Sequence, residues 1–181
     1  MDALIVLMGP TGAGKSVQGD LLAADLGGTH LSSGKLLRAD PRAAAKLVDG
    51  RLAPAVEVQR VVGEAMVEIP QDQPVVLDGT PRTDSDVHWL EKNLPKFGRE
   101  LKCVVLIELD IDTSMKRLGL RGRADDAPDA VREKWQLFED VTGPVVEHYR
   151  QLGMLITVDG RGSIEEVHQL VRAAVLKAML A

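Results

Sequence analysis

Gly9-Pro10-Thr11-Gly12-Ala13-Gly14-Lys15-Ser16 fits G-x-x-x-x-G-K-[ST] at every fixed position, a match that arises by chance in roughly one chain of this length in a hundred. Such a loop is built to hold phosphate. Its glycines let successive backbone N–H groups turn inward, and the helix that follows adds partial positive charge. Lys15 can bridge the outer phosphates of a nucleoside triphosphate, and the Ser16 hydroxyl can ligate magnesium. Further cations are at hand in Arg38, Arg82, Arg117, Arg121 and Arg123, and a planar guanidinium can hold two phosphate oxygens at once. Asp78 closes the apolar run Val75-Val76-Leu77, a place from which a carboxylate can hold magnesium through water. Phosphoryl transfer is the chemistry this set could perform.

These residues need a rigid frame. Ala3-Leu4-Ile5-Val6-Leu7-Met8 is a continuous apolar run, the mark of a strand buried on both faces. Val17 to Leu26 reads as a helix, with Leu22 and Leu26 one turn apart and Gly27-Gly28 to stop it. Thr29 to Ser33 is a short extended piece leading into a helix at 34–38, and Pro54 starts another with Val58, Val61, Val62 and Met66 on one face. Thr83 caps a helix carrying Val87, Leu90 and Leu94. Cys103 to Leu109 is a strand, and Asp110 to Leu120 a helix. A long helix through Val131, Trp135, Phe138, Val145 and Tyr149 is expected to bend at Gly143-Pro144. Met154 to Val158 is a last strand, and Ser163 with Glu166 forms a capping box for a C-terminal helix. Apolar strands alternating with helices imply an α/β fold: a parallel sheet covered on both faces, with ligands at the carboxyl ends of its strands. Gly9, Asp78 and the loop after Val158 all fall on that edge.

The chain has 181 residues, 45% hydrophobic and 27% charged, which suits a single domain. Aromatics make up 3%, so the core must be aliphatic. A net charge of −5 argues against nucleic-acid or anionic-membrane partners, and the phosphate site must be a local basic cluster. Cys103 is the only cysteine and reads as a buried, inert thiol. Asp2 stands where a signal peptide would be basic, and the first apolar run ends at Gly9-Pro10. A cytoplasmic protein is expected.

In order and spacing, several motifs resemble the adenylate kinase family of nucleoside monophosphate kinases, over nearly the whole chain. Besides Gly9 to Ser16, they are His30-Leu31-Ser32-Ser33-Gly34 with Leu37-Arg38, then Gly50-Arg51-Leu52-Ala53-Pro54 and Leu77-Asp78-Gly79-Thr80-Pro81-Arg82-Thr83. Arg117, Arg121, Gly122-Arg123 and Asp125-Asp126 match the short form of the family's arginine-rich lid. Val158-Asp159-Gly160 and Ser163 to Val167 match its C-terminal pattern. The resemblance implies a P-loop fold with a five-stranded parallel sheet, a small monophosphate-binding insertion at 31–62 and a short lid at 118–129. It implies ATP as donor with magnesium, a nucleoside monophosphate (AMP first) as acceptor, and a monomer.

By the same resemblance, Gly9, Gly12, Ala13, Gly14, Lys15, Ser16, Arg117 and Gly160 bind ATP. Ser33, Arg38, Ala53, Gly79, Arg82, Asp86, Arg123 and Lys134 bind the acceptor. Lys15, Arg82, Arg117, Arg121 and Arg123 are the catalytic cations, and Ser16 and Asp78 attend the metal. Four positions depart from the family pattern: Lys35 replaces an acidic residue, Thr80 a phenylalanine, Asp86 a glutamine that reads adenine, and Lys134 an arginine. Asp86 has two readings, since Thr83-x-x-Asp86 also has capping-box spacing. Two other functions stay open on these residues. One is a small-molecule kinase using Asp78 or Asp86 as general base toward a hydroxyl acceptor. The other is a nucleotide-binding regulatory module with a decayed acceptor site.

Overall fold

All six residues of strand β1 (Ala3–Met8) are buried, as the unbroken apolar run requires of a strand at the centre of a sheet. The computed structural model describes residues 2–47, 51–121 and 127–180. Around β1 lie β2 (Thr29–Ser32), β3 (Val75–Asp78), β4 (Glu100–Glu108) and β5 (Leu155–Asp159), in the order β2-β3-β1-β4-β5. Every pairing is parallel.

Alternation along the strands builds two cores. Leu4, Val6, Met8, Val75, Leu77, Val104 and Leu106 face helices α4 (Ala55–Glu68), α5 (Asp84–Asn93) and α8 (Gly143–Gln151). Ile5, Leu7, Val76, Val105 and Ile107 face α1 (Lys15–Leu26) and α9 (Ile164–Leu180). The short helices α2 (Ser33–Ala39) and α3 (Pro41–Ala44) join β2 to α4, while α6 (Ile111–Arg121) and α7 (Pro128–Leu137) lie between β4 and α8. The connection leaving β1 runs toward one edge of the sheet and that leaving β3 toward the other. Their carboxyl ends, with Leu7 beside Asp78 in register, therefore flank the crevice where such sheets take ligands.

Sequence and structure differ in two places. Strand β4 begins at Glu100 instead of Cys103, because its amino end pairs with β1 from Ala3 onward across a register shift at Leu4/Ile5. The expected bend at Gly143-Pro144 is a π-helical turn, Phe138–Thr142, in which the Gly143 N–H reaches back to the Phe138 carbonyl. Pro144 has no N–H to give and its ring crowds the carbonyl four residues back, so the ladder widens just before it. Cys103 is buried and its thiol is pushed up to about 12 by desolvation, which makes it inert as expected. No helix among the described residues is long and apolar enough to cross a membrane.

The core is aliphatic but for Tyr149, which is fully buried on α8 with its hydroxyl unpartnered among the described residues. Removing an unsatisfied buried hydroxyl relieves a desolvation cost. Tyr149→Phe is therefore expected to leave stability unchanged or raise it by about 1 kcal/mol. Urea denaturation checks this, and a loss of that size would mean the hydroxyl is satisfied.

Candidate active site

The loop between β1 and α1 is shaped by close approach. Gly9 has φ 145° and a Cβ there would lie 2.5 Å from the Ile107 carbonyl oxygen; Gly12 has φ 79° and a Cβ there would lie 2.7 Å from Ser114 Oγ. Only glycine fits either position. Ser114, buried on α6, donates its hydroxyl to the Thr11 carbonyl at 2.7 Å and pins the loop from the far side. Lys15 curls back over it, its ammonium donating to the carbonyls of Gly9 (2.7 Å) and Pro10 (2.8 Å). Gly14, left-handed at φ 84°, opens α1 with no side-chain cap and no acidic residue in the first turn. A helix start of that kind suits an anion.

Facing the loop, Asp78 ends β3 and is only 3% exposed. Its Oδ1 accepts from Ser32 Oγ at 3.0 Å and its Oδ2 from His30 Nε2 at 2.8 Å. Burial pulls this carboxyl upward. Hydrogen bonds from His30 and Ser16, with the nearby charges of His30 and Lys15, outweigh it and hold Asp78 below the usual carboxylate range. The other ring nitrogen of His30, Nδ1, bonds Asp20 of α1 at 2.6 Å. Carboxylates only accept, so both ring nitrogens donate and His30 is an imidazolium. Desolvation opposes that charge, but the bonds to Asp78 and Asp20 prevail and raise its pKa. Asp20 also takes the Lys35 ammonium, at 3.1 and 3.2 Å. A chain of alternating charge thus runs from the surface to Asp78.

On the acceptor side, Ser33 is buried against Gly79, whose φ of 80° leaves no room for a Cβ beside Ser33 Oγ. Arg82 Nε donates to the Gly79 carbonyl at 2.7 Å, so Ser33, Gly79 and Arg82 form one cluster. Arg38 is exposed, its guanidinium 3.2 Å from where a Gly34 Cβ would stand. Ala53 packs half-buried against the core ahead of α4. Asp86 completes the capping box of α5: Oδ2 accepts from the N–H groups of Arg82 (3.1 Å) and Thr83 (3.2 Å), and its own N–H donates to Thr83 Oγ1. Its Oδ1 is buried without a partner among the described residues. Lys134 is half-buried on α7.

On the donor side, Arg117 Nη2 donates to the Gly162 carbonyl at 2.8 Å, beside Gly160, whose N–H bonds the Glu108 carbonyl at 2.7 Å. Gly50, Gly122, Arg123, Asp125, Asp126 and the Arg121 side chain lie outside the described residues, and with them the centre of the expected lid. A cavity of about 600 Å³ between the ends of β4 and β5 and helices α7 and α8 meets the loop only at Pro10, beside the phosphate site rather than over it.

The motif His30-Leu31-Ser32-Ser33 does not by itself tie His30 and Ser32 to Asp78, and no sequence pattern singles out Asp20 or Ser114. The period-two alternation that turns His30 and Ser32 to one face of β2, with Ser32 beside Asp78 in register, was the available signal. Gly19 was another, because a Cβ there would lie 2.5 Å from the His30 ring, so α1 can lie over the imidazole only with glycine at that place. Gln18 donates to the Ile164 carbonyl at 3.0 Å and bonds His168, tying α1 to α9; nothing local announced it.

A parallel sheet whose first strand runs through a glycine loop into a helix N-terminus, with an aspartate at the end of the next strand over, defines a P-loop protein. Within that class, a family model described as adenylate kinase matches residues 7–154. Proteins named adenylate kinase from Nocardia farcinica (37% identical, over 91% of this chain and 94% of that one), Prochlorococcus marinus (34%, over 96% and 97%) and Stenotrophomonas maltophilia (36%, over 94% and 98%) align nearly end to end. The chain belongs to the adenylate kinase family.

Two substitutions weigh the charge chain. His30→Ala strips a buried carboxylate of its counter-charge and is expected to cost about 3 kcal/mol. Asp20→Ala removes a carboxylate that is 60% exposed and should cost under about 1 kcal/mol. Equal losses in chemical denaturation would mean that Asp78 does not depend on His30 for its charge.

Proposed function

We propose that the chain transfers the γ-phosphoryl group of ATP to AMP. An oxygen of the acceptor's phosphate attacks Pγ, the bond from Pγ to the bridging β-oxygen breaks, and two ADP molecules result. The nucleophile is already anionic, so no general base is needed, and catalysis reduces to alignment and charge neutralisation. The single observation that carries this reading is the meeting of the Lys15–Ser16 helix start with Asp78 at the crevice between β1 and β3. Asp78 suits an electrostatic role and not that of a base. It is held below the usual carboxylate range with both oxygens engaged, whereas a base needs a pKa near the working pH. Asp86 gives one oxygen to the cap of α5, and its other is buried. A kinase using either carboxylate toward a hydroxyl acceptor is therefore disfavoured.

In this reading Gly9, Gly12, Ala13 and Gly14 cradle the donor phosphates, Lys15 exchanges its loop carbonyls for phosphate oxygens, and Arg117 with Gly160 flanks the donor nucleotide. Ser33, Arg38, Ala53, Gly79, Arg82 and Lys134 receive the acceptor within an insertion at 31–62. Arg121 and Arg123 bring charge from a lid at 118–129. The Ser16 hydroxyl and the Asp78 carboxylate, all-oxygen donors lying together, fit magnesium; Asp78, with both oxygens bonded, would act through water. Bound there, the ion supplies charge neutralisation at the β- and γ-phosphates. A monomer working in the cytoplasm on free nucleotides completes the reading, and the net charge of −5 speaks against a nucleic-acid or anionic-membrane partner.

A coupled assay with ATP and magnesium against AMP, GMP, CMP, UMP and dTMP tests the proposal. ADP formation should be fastest with AMP and fall at least about tenfold in Lys15→Ala. Turnover with another monophosphate alone would reassign the acceptor. Silence on all five, with ATP still bound, would refute the transfer.

A further inference from the structure

One guanidinium makes three of the ionic contacts around the 31–62 insertion. Arg60, on α4 and 25% exposed, donates through Nη1 to Asp40 Oδ2 at 3.0 Å and Glu64 Oε2 at 3.1 Å, and through Nη2 to Glu57 Oε2 at 3.0 Å. Glu57 is itself buried on α4 and pairs as well with Lys46, in the segment after α3. Asp40 has three tasks. Its backbone N–H bonds the Leu36 carbonyl and ends α2. Its Oδ1 accepts from the N–H groups of Arg42 and Ala43, both at 2.9 Å, and so starts α3. Its Oδ2 accepts from Arg60 Nη1 at 3.0 Å and from the more exposed Arg42 Nη2 at 3.2 Å. The arginine thus clamps the α2–α3 junction onto α4, two residues beyond Arg38.

Helix α2 has only seven residues, too few to hold an orientation by its own hydrogen bonds. Leu37 is buried, Leu36 packs half-buried against the same core, and Ser33 is buried at the helix start. These contacts seat the start and middle of the helix. The bond between Asp40 and Arg60 adds an anchor at the end nearest Arg38, where a roll would swing that side chain around the axis. Isolated surface pairs contribute little, but here one planar guanidinium serves three carboxylates in a half-buried setting, where its fork gives direction as well as attraction. Hydrogen bonds from Arg60 and the Ala43 N–H hold Asp40 far below the usual carboxylate range, and Lys46 and Arg60 lower Glu57, so the network stays ionised at neutral pH.

We propose that Arg60 is a positioning residue for the phosphoryl acceptor: by holding Asp40 against α4 it fixes the end of α2 that carries Arg38, and with it the place where the acceptor's phosphate is gripped. This rests on the reading of Arg38 as an acceptor ligand. Arg60 acts through Asp40 and α2, and no nucleotide contact is assigned to it.

Steady-state kinetics with ATP and AMP on the full chain test it, with Arg38→Ala measured in parallel. Arg60→Met should raise KM for AMP about fivefold to tenfold, as a small misplacement of a binding group does, with KM for ATP close to wild type. Asp40→Asn, which keeps an oxygen for the α3 cap but loses the charge facing Arg60, should do the same, and it decides the matter if Arg60→Met fails to fold. Arg60→Lys, able to reach one carboxylate at a time, should recover part of the loss. KM for AMP within twofold of wild type in both Arg60→Met and Asp40→Asn would overturn the proposal, as would an equal rise in KM for both nucleotides. If Arg38→Ala alone leaves KM for AMP unchanged, the acceptor reading falls and takes the proposal with it.

Discussion

An ionised carboxylate buried at the edge of a sheet is costly, and the rest of the site depends on how that cost is met at Asp78. Removing such a group from water costs several kcal/mol unless charge and hydrogen bonds replace the solvent. Here the replacement comes from four directions: the His30 imidazolium, the Ser32 hydroxyl, the Ser16 hydroxyl and the Lys15 ammonium. Each belongs to a segment that must be in place for the site to exist. His30 and Ser32 bring in edge strand β2, while Lys15 and Ser16 bring in the phosphate loop and α1. The His30 ring leans in turn on Asp20 of α1, which lies over it only because Gly19 has no side chain. Assembly of the sheet edge and preparation of the phosphate site are one event.

The same economy governs the loop itself. Ser114 of α6 holds the Thr11 carbonyl, and Gln18 ties α1 to the start of α9. Neither contact leaves the loop able to drift, and a preorganised loop is what catalysis by alignment requires. The acceptor side is held by the packing of its helices on the sheet and also by ion pairs on a short insertion. Its departures from the family pattern, Lys35 and Asp86 among them, serve contacts inside the protein: Lys35 pairs with Asp20 and Asp86 caps α5.

What could be read in advance was local. Strands β1, β3, β4 and β5 followed from apolar runs, while β2 was legible only as a short extended piece; the boxes at Thr83–Asp86 and Ser163–Glu166 followed from residues three apart, and both are present. The loop pattern announced its own turn. What escaped was set by sheet order. His30 and Asp78 are 48 residues apart, Thr11 and Ser114 103, Gln18 and Ile164 146. Such contacts appear only once β2 is known to lie beside β3 and α9 beside α1, and no spacing rule reaches that far. Lys35 shows the limit from the other side. The sequence showed a carboxylate missing there, but not that the lysine in its place has Asp20 as a partner.

The charge of Asp78 is the claim on which the functional reading turns, and Asp78→Asn isolates it, since the amide matches the carboxylate in shape and can still accept from Ser32. ATP binding measured without magnesium should be unchanged and the circular dichroism native, while kcat for transfer from ATP to AMP in the presence of magnesium falls about a hundredfold or more. A folded Asp78→Asn protein that keeps kcat within tenfold of wild type would show that the buried charge is not what prepares this site for phosphoryl transfer.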